Sequence, residues 1–296
     1  MAQKFDVLAV IGEPNAGKST LVNVLVGQKV SIVSRKPQTT RSNVLGIFLE
    51  QEAQIVLTDT PGLFLPRERL GRAMFHGIRA ALREAEGVLF VVDASRPQIG
   101  RCFSLLKEHP ETRSFLVLNK IDRLSRQTLL PLAQTLNAQF PFQETFMISA
   151  LKQDGIMTMK RTLASAAPEG AWLYPEDQVT DLPLRLLAAE LTRERLYAKF
   201  SQELPYACTV ETETWEDFTY KEETRIAQNI YIKKASQRPI LLGKGGEEIR
   251  KIRLSVQKEL EELLMRRVHL FLSIKERPNW SEDKAFYDLW GMRYDA

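Results

Sequence analysis

Over the first half of the chain, short apolar runs alternate with amphipathic stretches. The runs FDVLAVI (5–11), QIVLT (54–58), GVLFVVD (87–93), SFLVLNK (114–120) and ETFMISA (144–150) each end in polar or small residues. Continuous apolar runs of this length, bounded by turn formers, read as strands buried on both faces. Between them lie helical spacings of three and four: Leu21, Val24 and Leu25, then Leu70, Ala73, Met74, Gly77, Ile78, Ala81 and Leu82. Strand, loop and helix repeated in this way predict an α/β domain, a mostly parallel sheet with helices on both faces. Such a sheet binds ligands at the carboxyl ends of its strands.

The alternation stops near residue 165. The stretch APEGAWLYPEDQVTD sets acidic residues among two prolines and a glycine and reads as a connection between domains. We therefore expect a first domain over 1–168, a linker over 169–181 and a smaller α+β domain over 182–296. The second domain begins with a helix from about Pro183 to Phe200, followed by strands in ACTVETETWEDF and ETRIAQNIYIKK. Two helices in PILLGKGGEEIRKIRLSVQKELEELL and a last strand in RRVHLFLSIKER complete it. The length of 296 residues, 44% hydrophobic and 26% charged, suits two globular cores. Cys102 and Cys208 are too few and too far apart for a disulfide framework or thiolate metal site. No run approaches the roughly 18 apolar residues of a membrane span, and the N-terminal apolar run is too short for a signal peptide. The expected location is the reducing cytoplasm.

Gly12-Glu13-Pro14-Asn15-Ala16-Gly17-Lys18-Ser19, followed by Thr20, fits the pattern G-x-x-x-x-G-K-[ST], with a strand before it and a helical pattern after it. Backbone N–H groups of such a loop face phosphate oxygens, and side chains at the two glycines are expected to obstruct them. Lys18 is expected on the β- and γ-phosphates and Ser19 on Mg²⁺. Asp59-Thr60-Pro61-Gly62 follows a strand, so Asp59 can hold Mg²⁺ through water and the Gly62 N–H can sense the γ-phosphate. Thr39 and Thr40 stand in a polar segment where a threonine can close over the metal, and Thr40 is the favoured one. Asn119-Lys120-Ile121-Asp122 follows an apolar run, and Asp122 can accept two hydrogen bonds from guanine. Adenine offers neither donor, and hydrogen bonds to a charged group contribute about 1.5–3 kcal/mol each. Ser149-Ala150-Leu151 ends the last strand, with a backbone N–H for the guanine O6.

Five stretches in this order resemble the translation-factor-like GTPases, and within them the Era family. The resemblance implies a GTPase taking GTP and GDP with Mg²⁺. Where some GTPases place a water-orienting glutamine after the DxxG glycine, this chain has Leu63. The resemblance also implies that Asn15 helps bind K⁺ near the β- and γ-phosphates, neutralising charge in the transition state. Asn15, Lys18, Thr40, Asp59 and Gly62 are thus the expected catalytic residues. Ala16 stands where family members often carry valine, a mild change.

A second glycine stretch, Gly243-Lys244-Gly245-Gly246, lacks the Lys-Ser or Lys-Thr of a nucleotide loop. It has the G-x-x-G form between PILL and a helix bearing Ile249, Ile252, Val256, Leu260 and Leu263 on one side. Such a loop in a KH domain lets a nucleic-acid backbone approach closely. From Lys233 to Arg253 the local net charge is +5, above the +4 of the whole chain, and phosphate contacts supply much RNA affinity. Gly243, Lys244, Gly245, Gly246, Arg250 and Lys251 are the expected RNA-binding residues, and Trp280 is expected to pack or to stack on a base, packing being favoured.

A GTPase domain followed by a type II KH domain is the Era-family architecture. That resemblance implies binding of small-subunit (16S) rRNA near its 3′ end, assembly of the 30S subunit, a monomer, and some association with the inner membrane. GTP and Mg²⁺ are expected to order the Thr40 and Gly62 segments and to alter how the two domains meet. Three alternatives stand beside this reading. A GTP-regulated protein would act on another RNA; an RNA-binding scaffold with negligible turnover would have lost Lys18, Asp59 or Thr40. A small-molecule kinase would have no use for NKID and SAL.

Overall fold

In the computed structural model, which describes residues 2–63 and 68–296, the strands of the first half assemble as one sheet. They are β1 (Lys4–Ile11), β2 (Val44–Glu50), β3 (Ala53–Asp59), β4 (Gly87–Asp93), β5 (Arg113–Asn119) and β6 (Glu144–Met147), ordered β2-β3-β1-β4-β5-β6. All neighbours pair in parallel except β2, which runs antiparallel to β3. The helices are α1 (Lys18–Val26), α2 (Arg69–Glu84), α3 (Gly100–Lys107), α4 (Arg126–Gln139) and α5 (Ile156–Ala166).

Residues on β1 alternate between two cores, as the strand period of two requires. Leu8 and Val10 join Leu21 and Leu25 of α1 and Met159 and Leu163 of α5. Ala9 and Ile11 join Ile78 and Leu82 of α2, Leu106 of α3 and Leu136 of α4. Helices on both faces bury the sheet and leave its carboxyl edge, at Ile11, Asp59, Asp93 and Asn119, to the connecting loops.

Residues 169–181, expected as a linker, are bound along the edge of this sheet. The Gln54 side chain accepts hydrogen bonds from the backbone of Leu173 and Tyr174 and donates to the Tyr174 carbonyl, all within 3.0 Å. Trp172 Nε1 reaches the carbonyls of Lys4 and Glu52 at 3.1 and 3.2 Å. Ile47 N donates to Val179 O at 2.8 Å, and Thr180 Oγ1 to Leu45 O at 2.6 Å. The free backbone groups of the edge strand β2 account for the last two of these bonds.

The chain divides into two compact units, Met1–Asp181 together with Tyr287–Ala296, and Leu182–Phe286. The last ten residues thus belong with the first unit, a correction to the expected second domain. Tyr287 is fully buried, its ring lies 5.3 Å from that of Tyr294, and the Arg69 guanidinium sits 4.3 Å from the Tyr294 ring centre. Arg69 also donates to the Tyr294 carbonyl at 3.1 Å.

The second unit contains α6 (Leu184–Lys199), β7 (Cys208–Phe218), β8 (Glu223–Ile232), α7 (Arg238–Leu242), α8 (Glu247–Leu264) and β9 (Arg267–Glu276); a short α9 (Lys284–Leu289) follows. Its sheet is ordered β7-β8-β9, the first pair antiparallel and the second parallel. Ile252, Val256 and Leu260 are the buried stripe of α8. Trp280 packs rather than presents a face for stacking: it is 1% exposed and its Nε1 donates to Ala207 O at 3.0 Å. Both cysteines are buried and neither forms a disulfide. No helix among the described residues is long and apolar enough to cross a membrane.

Candidate nucleotide and nucleic-acid sites

At the carboxyl edge of the first sheet, the loop from Ile11 of β1 to Lys18 of α1 borders a cleft of about 780 Å³. Its wall brings together Glu13 to Thr20, the segment Ile32 to Thr40, Gly62, Asn119, Lys120, Asp122, Ala150 and Leu151. Residues from these five stretches, together with Asp93, Arg96 and Gln98 of a sixth, therefore meet in one place. The loop glycines are required by the protein's own neighbours as well. A Cβ on Gly12 would lie 2.3 Å from Val91 O, and one on Gly17, whose φ is +96°, would lie 2.4 Å from Asn119 Nδ2.

Lys18 is buried, and its ammonium donates to Gly12 O at 3.0 Å and Glu13 O at 3.4 Å. Burial lowers its pKa, and the Asp59 carboxylate opposes that shift. Ser19 Oγ and Thr40 Oγ1 stand 2.9 Å apart, which brings the favoured threonine to the start of α1. Asp59 is fully buried at the end of β3; its Oδ2 accepts from Ser31 Oγ at 2.7 Å, while Oδ1 has no hydrogen bond to a described residue. Burial pushes the Asp59 carboxyl up, and the hydroxyls of Ser19, Ser31 and Thr40 together with the Lys18 charge pull it back. A buried carboxylate oxygen with no partner, beside two hydroxyls, is an oxygen set suited to a hard divalent cation.

At the other end, Asn119 ties the loops together. Its Nδ2 donates to Ala16 O at 2.9 Å, and its Oδ1 accepts from Lys120 N at 2.8 Å and Ala150 N at 3.0 Å. Ser149 Oγ donates to Asp122 Oδ1 at 2.6 Å, which orients the carboxylate. One expectation changes here: Ser149-Ala150-Leu151 lies beyond β6 rather than ending it, in a turn where Ser149 pairs with Asp154. Within it the Ser149 N–H donates to Asp154 O and the Ala150 N–H to Asn119 Oδ1. Several motif residues also face away from the cleft. Thr60 Oγ1 donates to Val10 O at 2.7 Å, Leu63 is buried in the core on the α2 side, and Ile121 packs partly against that core. Pro61 does not line the cleft either, whereas Gly62 sits against Pro14, where a Cβ would lie 2.8 Å from Pro14 Cα.

Sequence reasoning missed two polar residues. Ser31 belongs to no motif yet bonds Asp59. Asp93, the last residue of β4, accepts from Lys120 Nζ at 2.6 Å, and Lys120 Nζ also donates to Asn15 O at 2.5 Å. The only signal for Asp93 was its place at a strand's carboxyl end.

In the second unit, Gly243, Gly245 and Gly246 have φ of 70°, 62° and 78°, conformations that favour glycine. A Cβ on Gly245 or Gly246 would meet nothing within 4 Å, so both backbones face open space. Arg250 is exposed one turn into α8, while Lys251 is paired with Glu247 at 2.8 Å. The Glu248 carboxyl is held below its ordinary pKa by Lys199, whose Nζ lies 2.6 Å away. The exposed Lys251 pair contributes little stability and can exchange for a phosphate.

Comparison with known proteins matches these two regions separately and the chain as a whole. A family profile described as 50S ribosome-binding GTPase matches residues 7–120, and a KH-domain profile matches residues 203–281. The GTPase Era of Afipia carboxidovorans is 49% identical over 97% of this chain and 94% of its own length. The GTPase Era of Brucella suis is 48% identical over 97% and 93%. A solved Era structure in complex with MgGDPNP and nucleotides 1506–1542 of 16S ribosomal RNA has a TM-score of 0.91 at 36% identity, covering 98% of this chain and 99% of the other. An Aquifex aeolicus Era variant bound to GDP·AlF4⁻ gives the same TM-score, identity and coverage.

Proposed function

The chain belongs to the Era GTPase family, and on that premise we propose that it hydrolyses GTP, binds 16S ribosomal RNA and acts in assembly of the 30S subunit. The observation that carries the reading is one cleft in which the Lys18 loop and Asp122 lie at two ends of a wall tied together by Asn119. In this reading the loop N–H groups and Lys18 hold the triphosphate, and Asp122, oriented by Ser149, accepts from the guanine edge. Ser19 and Thr40 supply hydroxyl oxygens to Mg²⁺, with the Asp59 carboxylate behind them. Mg²⁺ bound there neutralises charge on the phosphate oxygens. Leu63 is buried and carries no group to orient water, so charge stabilisation falls to other groups. We assign part of it to K⁺ at Asn15, a loop residue with φ of +64°.

The open glycine loop of the second unit, with Lys244, Arg250 and Lys251, meets the RNA backbone, and a relative of the same architecture binds nucleotides 1506–1542 of 16S rRNA. The finer parts of the reading are cytoplasmic action on the small subunit as a monomer, with peripheral contact to the inner membrane; they rest on family membership. The test is phosphate release from GTP and from ATP, with and without a 16S 3′-end RNA, in K⁺ and in Na⁺. GTP turnover is expected, with ATP inert, Lys18→Ala inactive, and the rate higher in K⁺ and lost with Asn15→Ala. Equal turnover of ATP would overturn the guanine assignment, and equal rates in Na⁺ would remove the K⁺ site.

A further inference from the structure

Asp93 lies in none of the nucleotide motifs, yet both of its carboxylate oxygens are committed. Oδ1 accepts from Ser95 N at 3.0 Å and Ser95 Oγ at 2.6 Å, and Oδ2 pairs with Lys120 Nζ at 2.6 Å. The sheet sets this up: Asp93 ends β4 in register with Asn119 at the end of β5, and Ala94 N donates to Asn119 O at 2.9 Å. Lys120 therefore leaves β5 next to the carboxylate. Its ammonium then spans to Asn15 O, while Asn119 Nδ2 holds the adjacent Ala16 O. Two successive carbonyls of the phosphate loop are thus gripped by two successive residues of the base-recognition loop. Only the Lys120 grip runs through a flexible side chain.

A lysine side chain has four rotatable carbons and a strongly hydrated head, so one carbonyl is a weak anchor for it. A charge-assisted pair to an oriented, partly buried carboxylate is a stronger one. The two side chains are 21% and 17% exposed, which limits screening by water. Asn15 and Lys120 both take left-handed backbone conformations, φ of 64° and 65°, that need such external support in non-glycine residues.

We propose that Asp93 is a positioning residue for nucleotide retention: it holds the Lys120 ammonium against Asn15 O and so locks the phosphate loop to the base loop. The inference rests on the guanine-nucleotide reading above and assigns to Asp93 the slow release of bound GDP. Asp93 also borders the cleft, but its hydrogen bonds go to Lys120 and Ser95, so the effect assigned to it here passes through Lys120.

The experiment is a double-mutant cycle on release of a fluorescent GDP analogue from full-length protein, followed by stopped flow in saturating Mg²⁺. Asp93→Asn keeps the size and one acceptor oxygen and removes the charge. It is expected to speed release about tenfold, the order of one charge-assisted hydrogen bond. In a Lys120→Met background the same substitution is expected to change nothing, and Asp93→Glu is expected to recover part of the slow release. Unchanged release in Asp93→Asn, or equal acceleration in both backgrounds, overturns the proposal, because a packing defect would act without Lys120. Thermal unfolding of each variant without nucleotide separates misfolding from lost retention. The nucleotide reading is judged apart, by competition of ATP against the analogue on the wild-type protein. Displacement by ATP sinks that reading, and the cycle is then run with a fluorescent adenine nucleotide.

Discussion

Two carboxylates at the carboxyl ends of β3 and β4 illustrate how environment assigns a role. Asp93 is partly exposed, and although burial alone would raise its pKa, the hydrogen bonds from Lys120 and Ser95 hold it below the ordinary carboxylate value. Asp59 is fully buried, and burial wins, pushing its pKa up. A group whose charged form is poorly solvated gains most from a cation, which is what a metal-binding carboxylate requires. Ser31 fixes which oxygen is committed, because its hydroxyl occupies Oδ2 and leaves Oδ1 with no hydrogen bond to a described residue. Ser31→Ala is expected to lower the Mg²⁺ dependence of GDP affinity severalfold, the size of one lost hydrogen bond to a charged group, and to leave affinity in EDTA unchanged. Isothermal titration with and without Mg²⁺ measures this; equal losses in both conditions would mean a general packing defect.

At the scale of elements, the buried parallel strands were legible because both faces are covered and their sequences are continuous apolar runs. β2 escaped notice. Its Gly46 interrupts the pattern, and the structure explains the residue: a Cβ there would lie 2.7 Å from Val22 Cγ1 of α1. Pro131 inside α4 hides that helix in the same way. The nucleotide loop, NKID and the G-x-x-G turn were legible since each is a local pattern of residue types. Ser31 and Asp93 were not, because their partners lie 28 and 27 residues away and only the fold joins them. The turn before α8 carries its own prediction. Gly245→Asp or Gly246→Asp places a carboxylate where the backbone faces open space and is expected to weaken 16S RNA binding by tenfold or more through phosphate repulsion. GDP affinity should stay at the wild-type value; filter binding with RNA and fluorescence with nucleotide read the two sites separately. An equal loss of both would identify misfolding.

For the whole molecule, the two cores answer to different chemistry, a nucleotide in one and RNA in the other, and regulation requires that one bias the other. Thr40 meets Ser19 and Gly62 meets Pro14, so both segments expected to sense the γ-phosphate contact the nucleotide loop directly. RNA affinity is therefore expected to be higher with a non-hydrolysable GTP analogue than with GDP, by the five- to 150-fold typical of coupled sites. Fluorescence anisotropy of a labelled 16S 3′-end RNA measures it. Linkage demands the same factor in the opposite direction, so the RNA must tighten the analogue relative to GDP; equal affinities would leave the sites independent.

The return of residues 287–296 to the first unit bears on how the polypeptide is made. Translation releases the amino-terminal segment first, but Tyr287 and Tyr294, which complete its surface against Arg69, emerge only after about a hundred further residues have been synthesised. Until then the start of α2 at Arg69 lacks its clasp. The surface at Arg69 is therefore completed only after the residues of the RNA-binding unit have been synthesised.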